Sequence, residues 1–130
     1  MSLAVYISGP ITAETPEQLA ANIQRGAAMA KRVWEWGHGA HCPHLNSSFP
    51  GADEIPHAQY MEFDLRMLAA CDAIIMLEGW EMSVGAEMEY RAAKTTWVLI
   101  FQEGDPDLQS KLAELDAKIS GKEWGTNALS

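Results

Sequence analysis

Basic residues are scarce in this chain and nowhere cluster: nine lysines and arginines stand against 18 aspartates and glutamates, for a net charge of −9. A nucleic-acid backbone is gripped by grouped cations, so no nucleic-acid polymer is expected as partner. A single nucleotide stays possible, because backbone N–H groups at a helix start can hold one phosphate without side-chain cations. Cysteine is equally sparse. Cys42 and Cys71 give no disulfide framework, and two lone thiols fit a reducing cytosol, so the expected compartment is cytoplasmic. No apolar run approaches the roughly 18 residues of a membrane span. No basic region precedes the short apolar start, so neither a membrane partner nor a signal peptide is expected. Low-complexity segments and internal repeats are missing too.

Several motifs are also absent. The turn Ser8-Gly9-Pro10 lacks the further glycines of a dinucleotide fingerprint and the Gly-Lys-Ser/Thr of a P-loop. His41-Cys42-Pro43-His44 holds zinc-type ligands, but it stands alone, with no Cys-x-x-Cys, and strand alternation separates its histidines. No metal and no redox cofactor is expected.

With 130 residues, 48% of them hydrophobic, the chain fits one domain spanning 1–130 with one core. Leu3–Ser8 is an apolar run closed by Gly9-Pro10 and reads as a central strand. Thr15-Pro16-Glu17 starts a helix with a cap, a proline in the first turn and early negative charge. Leu19, Ile23, Ala27, Ala30 and Trp34 follow at helical spacing up to Gly37. Ala40–Pro43 reads as a second strand, and the loop from Asn46 to Pro56 as a lid or pocket wall. A helix over Ala58–Ala70 follows, then a fully buried strand over Ala73–Leu77. Ser83–Lys94 is expected as a helix, Trp97–Phe101 as a strand, and Pro106–Ile119 as an amphipathic helix. The remainder, from Gly121 to Ser130, reads as a polar tail carrying Trp124. Trp34, Trp36 and Trp97 are expected to pack in the core or at its edge. Strand–helix alternation predicts a Rossmann-like or flavodoxin-like α/β fold, a doubly wound parallel sheet of four or five strands.

Ligands of such sheets bind at the carboxyl ends of the strands, and two segments place chemistry there. Ser83 is the natural N-cap of its helix, with N–H groups suited to an anion. Gly85 and Ala86 share a face with Glu89, whereas Glu87 is set to pair with Arg91 at i+4. Glu89 is therefore the carboxylate directed at chemistry. Asp64 lies inside a helix, where aspartate is unfavourable, and so needs solvent or a task; Asp72 reads as a turn residue. Two carboxylates converging on one pocket can serve as nucleophile and general acid/base. Tyr6, in a buried strand, needs a partner for its hydroxyl. His44 at a strand end is a candidate pocket residue, and Trp80 a candidate for stacking on a base.

Tyr-x-x-Gly-x-Ile at Tyr6–Ile11, Asp-Leu-x-x-Leu-x-x-x-Asp at Asp64–Asp72 and Ser-x-Gly-x-x-x-Glu at Ser83–Glu89 together resemble the nucleoside 2-deoxyribosyltransferase superfamily. The likeness is closest to its small branch of 2′-deoxynucleoside 5′-phosphate N-hydrolases. It implies cleavage of an N-glycosidic bond in a nucleoside or its 5′-monophosphate, with Glu89 as nucleophile, Asp64 as acid/base and Tyr6 orienting Glu89. By the same resemblance, Ser8, Gly9, Ile11, Ser83 and Gly85 hold the sugar or phosphate, and a homodimer or larger homo-oligomer is expected, with the C-terminal helix or the Trp124 tail near the partner's pocket. Pro10 and the lack of an arginine after Ile11 depart from the family's first turn. A catalytically inactive nucleotide-binding sensor is the alternative; a ligand-free interaction module, with Ser83 only a cap, is a third.

Overall fold

A computed structural model describes residues 2–127, with the helical backbone alone for 122–127. Four short strands form one sheet, β1 (Ala4–Ser8), β2 (Gly39–His41), β3 (Ala73–Met76) and β4 (Leu99–Gln102), in the order β2-β1-β3-β4. All neighbours are parallel. The helices are α1 (Pro16–Glu35), the single turn α2 (Pro43–Asn46), α3 (His57–Ala69), α4 (Val84–Thr95) and α5 (Leu108–Asn127). This is the expected Rossmann-like, flavodoxin-like architecture.

Strand alternation divides the core in two. Val5, Ile7, Ala73 and Ile75 point to one face and pack with Met29, Ala30 and Val33 of α1 and Leu108 and Leu112 of α5. Tyr6, Ile74 and Met76 point to the other and pack with Leu68 of α3 and Ala86 and Ala93 of α4. The chain passes from β1 to β2 on one side and later to β3 on the other. The strand order thus reverses between β1 and β3, which opens a crevice at their carboxyl ends, the usual ligand position in such sheets. Ser8 and Met76 face each other across it, and the Leu77 N–H donates to the Ser8 carbonyl at 2.7 Å.

Several expectations are corrected. The buried face of α1 is Gly26, Met29, Ala30 and Val33, while Leu19 and Trp34 are exposed. Packing selected small residues there, as Gly26 shows: an added Cβ would lie 2.6 Å from the buried His44 ring. β2 stops at His41 because Pro43, lacking an N–H, begins α2 instead. β4 starts at Leu99. Trp97 turns the chain out of α4 with φ of 65°, the left-handed conformation common just past a helix end, and is 97% exposed. Trp36 packs only partly against the core and stacks under the Arg32 guanidinium. The backbone of α5 continues beyond Gly121, where a tail was expected; the side chain of Trp124 lies outside the described residues. Asp72 is a junction residue as expected: its carboxylate accepts from the Ala4 N–H at 2.8 Å.

Candidate active site

Glu89 is placed by α4. The Ser83 hydroxyl caps this helix, accepting from the Ala86 N–H at 3.2 Å. Gly85 admits the Met61 methyl of α3, which a Cβ would meet at 3.1 Å, so the two helices approach closely. Ala86, Glu89 and Ala93 form the buried stripe of α4, and Glu87 turns outward to pair with Arg91 at 2.5 Å. Both oxygens of the Glu89 carboxylate are held from β1. The Tyr6 hydroxyl donates to Oε2, and the Ser8 hydroxyl donates to Oε1 at 2.5 Å. Tyr6 and Ser8 can act together because residues two apart on a strand share a face.

Burial pushes the Glu89 carboxyl up to about 7 against the opposing pull of the Ser8 and Tyr6 donors; Asp64 raises it further and His41 lowers it. Burial, then the charge of Glu89, drives the Tyr6 phenol far above its ordinary value, so it remains a donor at every working pH.

Asp64 is buried in the middle of α3, which answers why an aspartate occupies a helix interior. Its Oδ1 lies 3.5 Å from Nε2 of His41, the last residue of β2. The His41 ring sits beside that of Tyr6, with centroids 5.2 Å apart, and meets Phe63 edge-on at 6.2 Å. His41 and Asp64 open onto a cleft of about 580 Å³ that also takes in Ile55, Tyr60, Phe63 and Met67. The amides of Asn46 and Gln59 supply its remaining polar edge. The loop after α2 is thus a wall of the cleft, braced where the Tyr60 hydroxyl donates to the Ala52 carbonyl at 2.7 Å. Glu89 is 5% exposed and is not among the residues that line this cleft.

The structure brings Tyr6, Ser8, Asp64 and Glu89 together and gives the other candidates supporting places. Gly9 lets the turn press onto Leu77, whose Cβ would lie 2.7 Å from an added Cβ. Ile11 accepts through its carbonyl from the Asn22 amide at 3.3 Å. His44 is fully buried, bonded through Nε2 to the Pro10 carbonyl at 3.0 Å, and braces the turn from behind. Burial lowers its pKa, against the opposing pull of the Pro10 carbonyl. Trp80 lies in a short helical turn ahead of α4, stacked on Tyr90 at 4.5 Å and donating to Gln102 at 3.2 Å. It borders a separate cleft of about 420 Å³ with Glu87, Arg91 and Lys94. Sequence reasoning passed over His41. The available signal was its place at the carboxyl end of a strand, which the metal-like grouping with His44 obscured.

An open parallel sheet with a buried, hydroxyl-held carboxylate at its switch point defines a Rossmann-like α/β domain with a candidate acid–base site. The chain belongs to the family described as domain of unknown function DUF4406, which matches residues 3–102, from the start of the core through β4. No curated protein matches the chain. Every candidate residue falls within the matched span, and α5 lies outside it.

Proposed function

We propose that this domain cleaves the N-glycosidic bond of a nucleoside or nucleoside 5′-monophosphate, as an N-glycosidase or 2-deoxyribosyltransferase. One observation carries the reading: the Glu89 carboxylate, held at both oxygens by Tyr6 and Ser8, beside a second buried carboxylate that reaches the cleft. In the proposed reaction a Glu89 oxygen bonds to C1′ as the C1′–N bond breaks, its electron pair leaving with the base. Asp64 protonates the departing base. Water or a second base then attacks C1′, gives its proton to Asp64 and frees Glu89. Oriented hydroxyl donors hold Glu89 in place for this task, and a pKa near neutrality leaves a useful fraction ionised. The apolar and aromatic cleft suits a base, and among the described residues its lining carries no lysine or arginine. A phosphate is assigned instead to the start of α4, at Ser83. The scheme needs no metal or redox cofactor.

The competing reading, an inactive nucleotide-binding sensor, draws on the burial of Glu89 away from the cleft lining and on the Ser83 hydroxyl already serving as a cap. Incubation with a panel of nucleosides and monophosphates, scored for free base, separates the two: binding without release favours the sensor.

The proposal extends to a homo-oligomer in the cytoplasm. Val84 and Met88, one turn apart on α4, are exposed, as is Met82 just before it, more apolar surface than a lone helix face needs. A light-scattering mass of one chain at micromolar concentration, with full activity, rules the oligomer out. The thiols fit a reducing compartment: Cys42 is buried, and burial first, then Asp72, pushes Cys71 up to about 11. Among the described residues no helix is long and apolar enough to cross a membrane.

A further inference from the structure

The scheme above leaves His41 without a part, and its surroundings single it out. Its Nε2 is buried and has no hydrogen-bond partner, although Asp64 Oδ1 is 3.5 Å away. A buried nitrogen left unpaired is unfavourable, so a partner is called for. A contraction of about 0.3–0.5 Å would make it a hydrogen bond, the kind of tightening expected when substrate enters. Tyr6 on one side and Phe63 on the other fix the ring plane. The titratable groups facing it are Tyr6 from β1, Asp64 from α3 and Glu89 from α4. Among the described residues no lysine or arginine lines the cleft, and His41 is the basic side chain beside the carboxylate that opens onto it.

We propose that His41 holds the proton that Asp64 delivers to the leaving base, the two residues working as one proton-sharing pair. The inference rests on the glycosidase reading. Before reaction the pair carries a single proton beyond neutral imidazole and carboxylate, on His41 Nε2 or on Asp64. As the C1′–N bond breaks, that proton passes through Asp64 to the base nitrogen, leaving neutral imidazole and carboxylate. When water attacks the glycosyl–Glu89 bond, the proton it loses returns to the pair. Charge and protons balance over the cycle. His41 acts through Asp64 and is a positioning residue in this scheme.

A leaving group that needs no proton isolates this role. N7-methylated purine nucleosides carry a fixed positive charge on the base and depart without protonation. His41→Asn should reduce base release from an unmethylated purine nucleoside about 100-fold, the lower range of general-acid contributions. It should change release from the N7-methylated form by less than about threefold. Equal loss on both, or no loss on the first, overturns the proposal; His41→Gln repeats the comparison if the asparagine variant does not fold. A second readout does not depend on turnover. In a crystal structure with a nucleoside bound, His41 Nε2 and Asp64 Oδ1 should close from 3.5 Å to about 2.7–3.2 Å. If the wild-type protein releases no base, the glycosidase reading fails and this distance decides the pairing alone: a gap that stays at 3.5 Å or more overturns it.

Discussion

Tyr6 and Glu89 stand 83 positions apart in sequence, yet the phenol of one donates directly to the carboxylate of the other inside the core. Parallel strand order makes this possible, since β1 lies centrally and α4 covers the face on which Tyr6 emerges. The bond stabilises the charged form of a group that burial disfavours. Tyr6→Phe should therefore raise the Glu89 pKa above about 7. A hydrogen bond to a charged group contributes roughly 1.5–3 kcal/mol, so base release at neutral pH should fall about 10- to 150-fold. The rising limb of the pH–rate profile should move towards alkali; a profile that keeps its midpoint would show that Tyr6 only fills space.

The two glutamates of α4 give a sharper contrast. Glu89→Ala should abolish base release. Glu87→Ala should leave it within about twofold, because its exposed pairing with Arg91 is of a kind worth only about 0.3–0.5 kcal/mol. A glycosyl adduct trapped on a peptide containing Glu87 but not Glu89 would reverse the assignment.

That contrast was legible in sequence, because helical spacing alone sets Glu89 beside Gly85 and Ala86 and sends Glu87 outward. β1 and β3 were legible for a related reason: strands buried on both faces read as unbroken apolar runs. The face of α1 was not. Leu19 and Trp34 look like core residues by hydropathy, but the packing against His44 requires a glycine at 26, and no periodicity reports that contact. His41 was hidden similarly, since β2 is a three-residue edge strand whose register against Tyr6 exists only in the folded sheet. Trp97 looked like a strand residue and is a left-handed turn, a backbone choice made by the geometry of the α4–β4 connection.

The pH dependence of stability follows from Glu89. Burial raises its carboxyl from the ordinary value of 4.5 to about 7 on folding, so between those values the folded state binds more protons than the unfolded state. Stability is then greatest below about pH 4.5 as far as this group is concerned, and it declines as pH rises through 7. The full effect is roughly 3 kcal/mol. Denaturant titrations at pH 5 and pH 8 should show this decline in the wild-type protein and largely lose it in Glu89→Gln. An identical pH slope in both would place the carboxyl's pKa near its ordinary value.

Gly26 offers a test of how the first turn is held. Gly26→Ala would drive a methyl to within 2.6 Å of the His44 ring, which is fully buried and tied to the Pro10 carbonyl. Overpacking against a buried ring of this kind costs about 1–3 kcal/mol. The variant should lose that much in chemical denaturation, and base release should fall further than stability explains, because Pro10 follows the turn from Ser8. Unchanged stability would mean that α1 shifts freely over His44.

Ser83 separates capping from recognition. Its hydroxyl oxygen accepts from the Ala86 N–H, and losing an N-cap typically costs about 1 kcal/mol; Ser83→Ala should show that loss whatever the substrate. If the hydroxyl proton, which the cap leaves free, also donates to a 5′-phosphate, a charge-assisted bond worth roughly 1.5–3 kcal/mol disappears as well. Binding of a monophosphate should then weaken by about 10- to 150-fold, while binding of the matching nucleoside changes little. Equal weakening of both would confine Ser83 to the cap. Ser83→Asp completes the argument: aspartate caps a helix as well as serine does, so stability should be retained, while its charge repels a phosphate. Preference should move to the nucleoside, and a monophosphate preference that survives the substitution would put the phosphate site elsewhere.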